Sequence, residues 1–174
     1  GGMLSSAITE IPGSSAIFDC GFVTYSNISK MTLLSVNENT LHRHGAVSEK
    51  VAGEMAIGAI KNSQASLAIS ITGIAGPGGS MIKPEGMVCF SIAIKNEIKL
   101  TQTKNWGPLG RDRVRRTATI HGLELLRKTL SKNDTGATGS HQAGMAIPKS
   151  NTDFLKFLGN LDPKEENPSR AIQC

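Results

Sequence analysis

The chain has 174 residues, 39% apolar and 19% charged, with 19 Gly and only seven aromatic side chains (5 Phe, 1 Trp, 1 Tyr). That length supports a core burying about two thirds of the unfolded surface, and that composition excludes collagen, a coiled coil and wholesale disorder. The net charge of +5 is compatible with nucleic acid, an anionic small substrate or solubility alone, so sign by itself does not choose a partner.

In chain order, Met3 to Ile11 reads as the end of a helix closed by Pro12-Gly13. Ala16 to Tyr25 (AIFDCGFVTY), rich in aromatic and branched residues, reads as a strand. Ser26 or Asn27 caps a short helix through Leu34, and His44 to Val47 is a loop leading to Ser48, which caps a helix from Glu49 to Asn62. Val51, Met55 and Ala59 give that helix one apolar stripe. Leu67 to Thr72 suits a strand buried on both faces, and it runs straight into the glycine loop Gly73 to Ser80. Its apolar stretch is far below the roughly 20 residues of a membrane helix. Gly86 to Ile94 and Ile98 to Thr103 flank Lys95-Asn96-Glu97 as a hairpin, and Arg111 to Leu130 is a helix. This order implies a single α/β domain with a mixed sheet over residues 1–130.

Residues 131–174 differ in kind. The first 130 residues carry 14 Lys/Arg against 9 Asp/Glu, and the remainder 5 of each, so the whole excess belongs to the first segment. Ser131 to Gly144 is a polar, Gly-rich linker and Asn160 to Arg170 a solvated run, with a short amphipathic helix at Thr152 to Leu158. The expectation is a poorly structured tail. Cys20, Cys89 and Cys174 are odd in number and form no CxxC pair, so neither a disulfide framework nor a zinc knuckle is implied and the setting is reducing and cytoplasmic. Gly1-Gly2 ahead of Met3 carries no basic or apolar targeting region and reads as a fragment edge.

Three constellations can carry chemistry. Ser15, Tyr25 and Lys30 could form a serine nucleophile with a lysine base and a tyrosine relay, since serine needs a base and a desolvated lysine can serve. A surface lysine and a half-buried packing tyrosine are the bland alternative. The GIAGPGGS loop can close backbone N–H groups on an anion or an oxyanion, but it lacks the Gly-Lys-Ser/Thr of a Walker loop and does not open a helix as GxGxxG. A plain tight turn explains it as well. Thr72 precedes it at the strand end where open α/β sheets bind ligands. Arg111, Arg113, Arg115 and Arg116 gather at a helix start, where a bound phosphate would offset their unfavourable place on the dipole, or where they form a solvated basic face. A nucleic-acid surface would interleave stacking aromatics, and only Trp106 is near. His42 and His44 beside Arg43 make a poor metal site, and His121 is a packing residue.

Taken in order, GSS at Gly13 to Ser15, GFVTYSN at Gly21 to Asn27 with Lys30, HGAVSE at His44 to Glu49, TGIAGPGG at Thr72 to Gly79, Lys83-Pro84 and R-D-x-V-R at Arg111 to Arg115 resemble the CinA C-terminal domain family, the nicotinamide-nucleotide amidohydrolases. The resemblance implies a three-layer α/β/α domain with a mixed sheet, commonly a dimer. It implies hydrolysis of the carboxamide of nicotinamide mononucleotide to nicotinic acid mononucleotide and ammonia, in pyridine nucleotide salvage. Carried over by position, Ser15 is the nucleophile, Lys30 the base and Tyr25 the relay. Thr72 and Arg111 become ligand contacts, with Gly45 and Ala46 of one loop and Gly73 and Gly76 of the other lining the pocket.

No metal or organic cofactor, nucleic acid or membrane is implied. The family's Ala-Glu-Ser-Cys-Thr-Gly-Gly turn is represented only by Gly1-Gly2, so a strand and part of the pocket wall are expected to be missing. Leu109-Gly110 stands where the family has Gly-Asp, and Glu85, Met87 and Cys89 stand for Val, Thr and Trp. The alternative is a noncatalytic nucleotide-binding or oligomerisation module.

Overall fold

The computed structural model describes residues 1–80 and 82–134. The tail features expected beyond Asp134 lie outside the described residues.

Helix α1, Met3–Thr9, is followed by a 3-10 turn at Ser14–Ala16. Helix α2, Asn27–Leu34, starts from Ser26, whose hydroxyl accepts from the Ser29 amide while the Ser29 hydroxyl accepts from the Ser26 amide. Helix α3, Glu38–His44, was not legible as an element. Asn37 caps it through its side chain, which accepts from the Asn39 amide. Helix α4, Glu49–Lys61, is capped by Ser48 onto the Val51 amide. Strands β1, Leu67–Gly73, β2, Met87–Ile94, and β3, Glu97–Asn105, precede helix α5, Arg111–Asp134, which runs one turn beyond its expected end at Leu130.

The sheet has the order β1-β2-β3. Both pairings are antiparallel, with Leu67 opposite Ile94 and Gly73 opposite Val88 on one side of β2, and Met87 opposite Asn105 on the other. The β2–β3 hairpin turns on Lys95 and Asn96, both at positive φ, as a two-residue loop requires. A mixed sheet was expected from alternating elements. The described strands are all antiparallel: the β1–β2 connection, residues 74–86, carries no described helix to make a crossover, and a two-residue turn joins β2 to β3.

Three layers result. Val88, Phe90 and Ile92 on one face of β2 bury against Val114, Ala118, Leu123, Leu125 and Leu126 of α5, with Leu4 and Ile8 of α1 at the edge. On the opposite face Ala93 packs with Ala56 and Ile60 of α4, and the Ser70 hydroxyl donates to the Ala52 carbonyl at 2.6 Å. Alternation along β2 thus feeds two cores, which is why its run MVCFSIAI is buried almost throughout. A third cluster, Leu34, Val36, Leu41, Val51 and Met55, joins α2 and α3 to the outer side of α4. Gly58 makes that approach possible, because a Cβ there would lie 1.8 Å from the Leu34 carbonyl oxygen.

The strand expected over Ala16 to Tyr25 does not form. Among the described residues no backbone–backbone hydrogen bond involves positions 19–25. A strand needs a neighbour at its edge, and β1 is paired only with β2. The segment is instead tied by side chains at its two ends: the Asp19 carboxylate accepts from the Gln64 amide at 2.8 Å, and the Tyr25 hydroxyl accepts from Arg111 at 3.2 Å. It therefore passes from the region before β1 to the region beyond it.

Candidate active site

The carboxyl end of β1 gathers most of the residues singled out from the sequence. Thr72, buried at that end, donates its hydroxyl to the Ala46 carbonyl at 2.9 Å, which docks the loop between α3 and α4 onto the strand end. Beyond Gly73, the glycine loop is organised from within by Glu85, whose carboxylate accepts from the Gly78 amide at 2.6 Å. From outside it is held by Arg111 in the first turn of α5. The Arg111 guanidinium donates to the Gly76 carbonyl and to the Tyr25 hydroxyl, each at 3.2 Å. Five N–H donors in a rigid fork make such bridging possible while leaving donors for an anion. A phenol 78% exposed is not a packing group, so the bland reading of Tyr25 does not apply.

Lys30 lies in the first turns of α2 and is buried, with its ammonium donating to the Thr24 carbonyl at 2.8 Å. Burial lowers its pKa from the ordinary lysine value, because the charged form loses hydration that one carbonyl only partly replaces. It is not the solvated surface lysine of the bland reading. Through Thr24 it is anchored one residue from Tyr25.

Ser15 is placed differently. It sits exposed on the 3-10 turn, whose backbone bonds run among Ile11, Gly13, Ser14 and Phe18. Phe18 adjoins Asp19, and Asp19 is tied to Gln64, ahead of the amino end of β1. Tyr25, Arg111, Thr72 and Gly76 are at the carboxyl end. Six residue steps of strand, about 20 Å, separate the two ends. The structure therefore joins Tyr25, Arg111, Gly76, Thr72, Ala46 and Gly45 around one end of β1, with Lys30 beside them. Among the described residues, no hydrogen bond ties Ser15 to that group.

Sequence reasoning named Lys83 as part of a motif without giving it work. In the fold its ammonium donates to the carbonyls of His44 and Val47. Residues 36 and 39 positions apart offer no local signal for such a contact. Glu49 was also missed as a polar anchor: its carboxylate accepts from Thr101 and Thr103 of β3, which holds the start of α4 to the sheet. A groove of about 490 Å³ lies elsewhere, floored by Leu34, Gly53, Ile57, Gly58 and Ile98. None of the candidate catalytic or substrate-binding residues lines it, although Glu49 of the HGAVSE motif does. Among the described residues, no three His, Cys, Asp or Glu side chains are grouped as a metal site, and no helix is long and apolar enough to cross a membrane.

A three-layer domain with a ligand-ready loop cluster at the strand end is the class that fold and site define. The family model "CinA C-terminal domain" matches residues 1–130, and the chain belongs to that family. It is 48% identical over 134 residues to "Nicotinamide-nucleotide amidohydrolase PncC" of Escherichia coli strain K12, covering 76% of this chain and 81% of that protein. Among solved structures, the competence/damage inducible protein CihA from Agrobacterium tumefaciens has a TM-score of 0.69 at 44% identity, over 72% of this chain and 77% of that one. The competence damage-inducible protein A (ComA) from Klebsiella pneumoniae subsp. pneumoniae MGH 78578 has a TM-score of 0.71 at 32% identity, over 75% and 81%. A second model, "Restriction endonuclease EcoRII, N-terminal", matches residues 119–174, most of which lie outside the described residues.

Proposed function

We propose that this chain hydrolyses the carboxamide of nicotinamide mononucleotide, releasing ammonia and nicotinic acid mononucleotide. The observation that carries the reading is the convergence of Tyr25, Arg111 and Gly76 at the carboxyl end of β1, in a chain 48% identical to a named amidohydrolase. The nucleotide phosphate pairs with the free donors of Arg111, and the backbone of Gly45, Ala46, Gly73 and Gly76 lines the pocket. Lys30, its pKa lowered by burial, takes a proton through Tyr25 and returns it to the departing ammonia.

In the serine scheme the Ser15 oxygen attacks the amide carbon, the C–N bond breaks as nitrogen is protonated, and water then cleaves the acyl ester. That scheme requires the Ser15 hydroxyl to come within hydrogen-bond reach of Lys30 or Tyr25. Ammonia release by the pure chain, with Ser15→Ala and Lys30→Ala beside it, tests both levels. Turnover abolished by both substitutions assigns Ser15 and Lys30 their roles. Turnover unaffected by Ser15→Ala moves the attack to a group at the Tyr25 end.

One second reading, a nucleotide-binding module without turnover, is favoured by the exposed Ser15 having no hydrogen bond to Lys30 or Tyr25 among the described residues. Calorimetry that detects mononucleotide binding in the absence of ammonia release would establish it. The unit we assign to this activity is residues 1–130, acting in the cytoplasm as a homodimer without nucleic-acid or membrane partners. Free thiols at Cys20 and Cys89 fit a reducing compartment. Sedimentation at micromolar concentration tests the dimer.

A further inference from the structure

Lys83 belongs to the loop that follows β1, yet its ammonium reaches the carbonyls of His44 and Val47 in the connection between α3 and α4. Thr72, at the end of β1, holds the Ala46 carbonyl between them. The Gly45 carbonyl accepts from the Ser48 hydroxyl at 3.0 Å. All four carbonyls of residues 44–47 thus have side-chain donors, and three of those donors' bonds come from β1 and its loop. An ammonium has three donors and no acceptor, so two carbonyls pointing at it form a directional clamp rather than a loose ion contact. His44 ends α3, where a cation also meets the negative end of the helix.

Gly45 admits the clamp. It sits at φ +70, and a Cβ there would lie 3.1 Å from the Lys83 nitrogen. The same loop that carries Lys83 presents the Gly76 carbonyl to Arg111, and Arg111 holds Tyr25. One side chain therefore links the His44–Val47 loop to every other piece of the rim.

We propose that Lys83 is a positioning residue: it locks the α3–α4 loop and the β1–β2 loop into one rigid rim and so sets affinity for the nucleotide without touching it. This rests on the amide-hydrolysis reading, and the test separates the two. Amide hydrogen exchange across residues 45–48 and steady-state kinetics with nicotinamide mononucleotide are measured on the full chain and on Lys83→Met and Lys83→Arg. Loss of the clamp speeds exchange of the Gly45 amide, which donates to the Leu41 carbonyl, by about tenfold, with α2 unchanged as an internal control. It raises KM by about tenfold with kcat within about twofold.

Arginine keeps the charge, but its planar fork does not fit the site beside Gly45, so Lys83→Arg shows the same two changes. Unchanged exchange in Lys83→Met overturns the proposal. So does a KM that rises in Lys83→Met and is restored in Lys83→Arg, which would mark a charge contact with the ligand. Should Lys83→Met fail to fold, Lys83→Arg decides by the same measurements. A parent chain that releases no ammonia sinks the reaction but leaves the exchange test of Lys83 standing.

Discussion

Two stretches of this chain look alike as sequence and end up opposite as structure. Met87–Ile94 and Ile17–Tyr25 are both rich in branched and aromatic residues, yet one is the centre of the sheet and the other belongs to no strand. β2 has a partner on each edge and a helix on each face, so each apolar side chain finds a cavity and each backbone group a bond. Ile17–Tyr25 has α1 nearby, with Leu4 and Ile8 already turned to α5, and no ladder among the described residues. Strand propensity describes how well a side chain fits a pleated, half-buried surface, and it is realised only where that surface exists. The difference also divides labour: the ladder carries stability, and the side-chain tethers carry the site.

The sharpest way to break this comparison is to damage the ladder region first. Phe90 is fully buried on β2, edge-on to Trp106 and to His121 with centroids 6.1 and 5.0 Å away. Phe90→Ala leaves a cavity between sheet and α5 and is expected to cost about 3–5 kcal/mol in urea unfolding. A loss below about 1 kcal/mol would mean that the two layers are not packed as described.

Gly58→Ala comes next. The added methyl cannot coexist with the Leu34 carbonyl, and α2 must move away from α4, at an expected cost of about 1–3 kcal/mol. Since Lys30 is on α2, the same substitution should lower any ammonia release by more than the folded fraction falls. Parallel loss of both would uncouple α2 placement from the chemistry.

Asp19→Ala removes the tether at the amino end of β1. The bond is exposed, so the expected cost in equilibrium unfolding is small, about 0.5–1 kcal/mol. Exchange of the Gln64 amide, the donor of that bond, should nevertheless rise while β2 stays protected. Equal protection in parent and variant would show that something other than this carboxylate holds the segment.

How much of this was legible follows from the range of the signals. Capping at Ser26 and Ser48, the apolar stripe of α4, the β2–β3 hairpin and the α5 start are encoded within a few residues, and each appears where the sequence puts it. Helix α3 was hidden because its seven residues, ENTLHRH, bury only Leu41 and show no stripe. The Ala16–Tyr25 strand was misread because its local pattern is correct and its missing neighbour is a global fact. At the site, motif order drew attention to Tyr25, Thr72, Gly76 and Arg111, which do converge. It could not show that Lys83 reaches back to His44.

The smallest effect at any single pH, and the most specific to the site, is expected from Lys30. Its pKa is lowered in the fold by desolvation, so over the interval between that value and the unfolded value near 10.5 the unfolded chain binds more protons than the native one. Stability then rises with pH across that interval. The penalty of holding a buried ammonium is present in full below the folded pKa and is gone above the unfolded one. Lys30→Met removes the titrating group while keeping much of the apolar stem. Chemical denaturation at a series of alkaline pH values, before global deprotonation of other lysines dominates, should give a shallower rise for the variant than for the parent. Identical slopes would mean that Lys30 is solvated in the native state. A solvated lysine would keep its proton at neutral pH and could not act as the base beside Tyr25.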